Sequence, residues 1–220
     1  MSEVSFFSKV KTIVNKEWTL DWRNRSSFFS ILFYPLLTVY LVFYSFKELD
    51  AVTWVMMFWI ITLFSAINAM AKSFLQESSG RWAYYYTLFS PEELLTAKFI
   101  YHFLLLSIIT VINLSLFIMF IGFPFANQSM FFLSVLLGII SLVLIFTIMS
   151  SIAGKASKNA SLTAILSLPV MIPLVSVLIN FSLKSISIGN KFFFDVVLLS
   201  SINLMMILLG ILLFKFIWKD

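Results

Sequence analysis

Apolar residues gather in six runs, at 26–46, 54–71, 99–121, 131–153, 161–183 and 196–214. Each approaches the length of roughly 20 residues that a helix needs to cross a hydrocarbon core. The pattern therefore predicts an all-α integral membrane fold with six transmembrane helices, a single transmembrane domain over 1–220. The leader, 1–25, follows a different pattern. Phe7, Val10, Val14 and Trp18 recur at three-to-four spacing, while Lys9, Lys16 and Arg23 fall on the opposite face. This is the signature of an amphipathic helix lying in the interface, with Trp18 and Trp22 at headgroup level and Lys11 snorkelling from its edge. No small-residue cleavage site follows the first apolar run, so the leader is not read as a secretory signal.

The longest polar interruption is QESSGRWAYYYTLFSPEELLTAK, at 76–98. Ser78, Ser79 and Gly80 break the preceding helix, and the aromatic stretch from Trp82 to Tyr86 seeks the interface. A new helix then starts: Ser90 as N-cap, Pro91 at the first position, Glu92 and Glu93 in the first turn. Ser90 and Glu93 also have capping-box spacing. A solvated aromatic loop accounts for the tryptophan and tyrosines but not for the capped start. The expectation is a short helix parallel to the membrane, joined stiffly to the third span and able to transmit force. It makes 72–98 a cytoplasmic coupling segment, with Glu77, Gly80, Arg81, Ser90, Pro91, Glu92, Glu93 and Lys98 as the candidates for contact with an energy source.

Composition agrees with the pattern: the chain is 61% hydrophobic and 11% charged, with a net charge of +5. If both termini are cytoplasmic, twelve of the 15 Lys and Arg residues lie on that side and only Lys47, Lys184 and Lys191 on the other. That is the positive-inside asymmetry, and it replaces a nucleic-acid reading of the basic balance. With no cysteine, thiolate metal sites and disulfides are absent.

The interiors of the six runs carry no Asp, Glu, Lys or Arg near the centre, where an ion-coupled carrier needs them. No carboxylate pair, histidine cluster or Ser/His/Asp set suggests catalysis, and no catalytic, cofactor or metal site is assigned. Nor is there a phosphate loop: Gly154 and Lys155 lack the preceding glycine, and Ala156 stands where Ser or Thr is needed. Pro169 and Pro173 should break or bend the fifth span and are the candidates for a kink or gate. The one histidine, His102, reads as an interfacial, hydrogen-bonded residue near the start of the third run.

The order of an amphipathic leader, a second span, then Phe74, Glu77, Gly80, Ser90, Pro91, Ala97 and Lys98 resembles the six-span ABC-2 permeases of ATP-binding-cassette exporters. The SP pair, AK, IYH, and downstream SSIAGKASKNASL and LPVMIPLV look most like heme exporter protein B of the cytochrome c maturation system. Family members often carry Leu-Glu-Gln-Leu between the glycine and the Ser-Pro pair. Here Trp82 to Thr87 stand instead, which leaves open whether Glu77 or Glu92 meets the partner.

The resemblance implies a permease subunit of the bacterial inner membrane, paired or homodimeric, with ATP bound by a separate cytoplasmic ATPase. It would work beside haem-handling membrane proteins and a haem chaperone, with no cofactor of its own, haem as the candidate cargo and His102 as the candidate haem ligand. The loop 154–160 would share the ATPase contact. Two other readings keep the same helical bundle and give it a different role, either as a permease for a glycan, drug or ion or as a scaffold that transports nothing.

Overall fold

The computed structural model describes residues 5–46, 48–71, 73, 88–156 and 160–219. Among these the chain forms seven helices and no strands: α1 (Phe6–Arg23), α2 (Arg25–Ser45), α3 (Ala51–Met70), α4 (Pro91–Phe120), α5 (Gln128–Ala156), α6 (Ala160–Lys184) and α7 (Phe193–Lys219). Five of them contain segments long and apolar enough to cross a membrane: Ala51–Met70, Pro91–Phe120, Gln128–Gly154, Ser161–Lys184 and Phe193–Phe214. The sixth expected run is also helical, as α2, but its described apolar stretch, Phe29–Ser45, is shorter.

A helix that is apolar on every side belongs in the middle of a bundle, and α5 is that helix. Residues 141–148 are buried without a break, and α5 packs against α3, α4, α6 and α7. The outer helices keep apolar side chains turned away from the bundle, among them Phe33 and Leu37 of α2, Ile165 and Ile172 of α6, and Leu204 and Leu208 of α7. In water such a surface would aggregate; against lipid tails it is the expected solvent contact.

Packing inside the bundle is aromatic at one end. Trp54 gathers Phe58, Phe117, Phe125 and Phe131, and its indole N–H donates to the Gly122 carbonyl at 3.0 Å. Gly122 takes a φ of 101°, which ends α4 in a conformation that side chains resist. At the same end Lys184 and Asp195 form an ion pair of 2.6 Å across the α6–α7 turn.

Three local expectations are corrected. First, α1 does not present one apolar face. Val10, Ile13 and Glu17 are buried against the protein, whereas Phe7, Trp18 and Trp22 stay exposed on a neighbouring face. The wide apolar sector serves two solvents at once. Second, the capped start at Ser90 is not a separate short helix. It opens α4 itself, which runs 30 residues without interruption, or about 45 Å at 1.5 Å per residue. No Gly or Pro follows Pro91 to end the helix, and Lys98 is accommodated by burial with a counter-charge. Third, of the break or bend expected at Pro169 and Pro173, α6 shows no break. It continues from Ala160 to Lys184, with Pro169 and Pro173 inside it on an exposed side. Proline keeps helical φ, and its cost is the lost N–H, which spanning helices tolerate.

Candidate functional site

The polar chemistry of the bundle collects where α1 crosses the start of α4. Ser90 takes an extended conformation, and its Oγ accepts from the Glu93 N–H at 3.2 Å. The Glu93 carboxylate accepts in return from the Ser90 N–H at 2.8 Å, which completes a reciprocal capping box. Glu93 also meets Lys9 of α1, at 3.3 Å, and is nearly buried. Replacing Ser90 with alanine should lower stability by about 1 kcal/mol, a loss read as a lower midpoint in thermal unfolding of the detergent-solubilised chain.

Glu92 lies on the other side of the same turn, exposed, on the rim of a groove of about 340 Å³. Phe6, Pro91, Leu95, Ile211 and Phe214 line its walls.

Two turns on, Lys98 is fully buried. Its ammonium lies 3.0 Å from Glu17 Oε2 and donates to the Ser73 carbonyl at 3.2 Å and the Ser73 hydroxyl at 3.3 Å. A lysine without solvent is costly unless paired and hydrogen-bonded, and Lys98 is both. The Ser73 hydroxyl is 2.8 Å from His102 Nε2, and His102 Nδ1 is 2.7 Å from the Thr147 hydroxyl of α5. Beside this line, the Tyr101 hydroxyl donates to Asp21 of α1. Thr163 of α6 donates to the Ala71 carbonyl at 3.3 Å.

Burial alone would push the Glu17 carboxyl up, but the ammoniums of Lys98 and Lys16, with their hydrogen bonds, hold it down at about 2. Asp21 is raised, chiefly by burial and further by the nearby Glu17 charge, against the hydrogen bond from Tyr101. Because the folded Glu17 value lies below its ordinary 4.5, its stabilisation is fully present above 4.5 and is lost only as pH falls towards about 2. The melting temperature should therefore carry no step from Glu17 through neutral pH, which a pH series of thermal unfolding checks.

Of the residues singled out from sequence, Ser90, Pro91 and Glu93 come together as the capped turn, with Glu92 at its surface. Lys98 and His102 meet inside the protein instead. Pro169 and Pro173 lie apart, on α6. Glu77, Gly80 and Arg81 lie outside the described residues. Sequence reasoning missed Glu17 and Ser73. The signal for Glu17 was available: it is an acid seven positions after Val10, on the stripe that includes Ile13. Lys98 stands likewise among Leu94, Leu95, Ala97 and Tyr101. Ser73 beside His102 resembles a nucleophile–base pair, but the ring's other nitrogen meets a threonine hydroxyl rather than a carboxylate, and the imidazole is wholly enclosed.

Among the described residues, five long apolar helices, one of them buried at the centre, mark a multi-pass membrane protein. The sequence model of the CcmB protein family matches residues 8–215, and the chain belongs to that family, the heme exporter B permeases of cytochrome c biogenesis. No curated protein and no solved structure matches the chain.

Proposed function

We propose that this chain is the permease subunit of an ATP-binding-cassette complex required for cytochrome c maturation, driven by a separate cytoplasmic ATPase. The observation that carries this reading is the CcmB family match over nearly the whole chain. In this reading the chain crosses the bacterial inner membrane six times, with α2 as the remaining span and both termini cytoplasmic. The skewed distribution of Lys and Arg supports that direction.

Among the described residues Lys98, Lys184 and Asp195 lie towards the ends of their helices, and no Asp, Glu, Lys or Arg stands in the middle of a span to bind a driving ion. Work must come from a partner. Glu92, exposed beside the groove, makes the polar contact to the ATPase, and Pro91 sets the angle at which the turn is presented. Glu93 and Lys98 face inward and hold that turn to α1. Haem is the cargo, delivered to a haem chaperone beside haem-handling membrane proteins, and the permease acts as a pair. His102 is not its ligand in this reading, since both ring nitrogens already hold hydroxyl partners.

Deleting the gene and staining for covalently attached haem tests the assignment: loss of stained c-type cytochromes is expected, and normal staining contradicts it. Neighbouring genes for a glycan, drug or ion pathway would favour a different cargo. For the coupling contact, Glu92→Lys should lower both ATPase stimulation and cytochrome levels several-fold while membrane insertion stays intact. Unchanged stimulation would remove Glu92 from the contact.

A further inference from the structure

We propose that Lys98 is a positioning residue in a polar latch, Glu17–Lys98–Ser73–His102–Thr147, which ties α1 to the central helix α5. Movement imposed at the capped turn, where α1 crosses the start of α4, is thereby delivered to the central helix. The inference rests on the ATPase-coupling reading above and adds the internal route.

The latch draws one residue from α1, one from the segment after α3, two from α4 and one from α5. No link exceeds 3.3 Å. Lys98 has only N–H groups to offer, so the Ser73 oxygen accepts from it. The Ser73 hydroxyl and the two ring nitrogens of His102 carry the line on to Thr147.

Apolar packing already joins the same helices: Val10 and Ile13 of α1 sit in one cluster with Leu94, Leu95 and Ala97 of α4. Such packing is non-directional, so it holds the helices together without fixing their register. A buried ion pair adds little or no stability over apolar residues of the same size. What it adds here is fixed geometry. Four residues of the latch, Lys98, Ser73, His102 and Thr147, stand where α3, α4 and α5 converge, and α5 in turn packs against α6 and α7.

The test compares stability with coupling in the full chain, reconstituted with its partner ATPase in lipid nanodiscs. The variant Lys98→Met/Glu17→Leu removes both charges at nearly constant volume. It should accumulate and melt like the wild type, while its stimulation of ATP hydrolysis falls by on the order of three- to tenfold. The exchange Glu17→Lys/Lys98→Glu, which restores an ion pair, should recover part of that loss.

Should the apolar pair fail to accumulate, His102→Leu/Thr147→Val cuts the last link without touching a charge and should show the same loss of stimulation. A wild-type chain that leaves the ATPase rate unchanged overturns the coupling reading and the latch with it. A wild type that stimulates, alongside latch variants that stimulate equally, overturns the latch alone.

Discussion

Replacing Glu17 alone with leucine is expected to destabilise the folded chain by about 3–5 kcal/mol, because it breaks the buried ion pair with Lys98. The ammonium has no exposed surface and lies 3.0 Å from the carboxylate that would be lost. The Ser73 contacts are neutral and do not balance a charge. Lys98 would pull towards water, which loosens α1 from α4. The measurement is thermal unfolding in detergent, together with the amount of protein in the membrane. A Glu17→Leu protein as stable as the wild type would mean that Lys98 is not enclosed as described.

A second large effect is expected at Gly138, in the middle of α5. A Cβ there would sit 2.3 Å from Cη2 of Trp59 and 2.8 Å from its Cζ3. The indole cannot easily step aside: its N–H donates to Ser182 at 2.9 Å, and its ring meets Phe58 edge-on. Overpacking a tight core costs about 1–3 kcal/mol for a small addition. Gly138→Ala should fall at the upper end, and Gly138→Val should fail to accumulate in the membrane. Gly210→Ala is the control, since its Cβ would meet the flexible end of Ile148 at 3.1 Å and needs only a small shift. Equal accumulation of Gly138→Val and wild type, judged by blotting of washed membranes, would show that the Trp59 contact is absent.

These two sites differ in how far the sequence announces them. Gly138 is one glycine in an apolar run, and nothing local says which ring lies over it. The helices themselves are legible, because spans of hydrocarbon-matching length leave the backbone few alternatives. The capping box at Ser90 and Glu93 is legible for the same local reason: both partners lie within one turn. The start of the third apolar run is not. A lysine at 98 reads as the polar border of a span, since its burial is prohibitive in isolation. The structure carries α4 back to Pro91 because Glu17, far away in sequence, removes that penalty.

His102 follows the same logic. Near the end of an apolar run it reads as interfacial, yet hydroxyls from two other parts of the chain allow it to be enclosed completely. Polar groups buried between helices are a tertiary property, and periodicity reports only which face they share.

Central to the coupling is a capped turn at Ser90–Glu93 that faces the cytoplasm and meets an ATPase there. The chain has no cysteine, so a thiol introduced by Glu92→Cys is unique. Its reaction with a membrane-impermeant maleimide can be compared between intact spheroplasts and inverted vesicles, with and without the partner ATPase. Labelling is expected in inverted vesicles only, suppressed when the ATPase is bound. Labelling of intact spheroplasts would contradict the cytoplasmic placement and the coupling built on it.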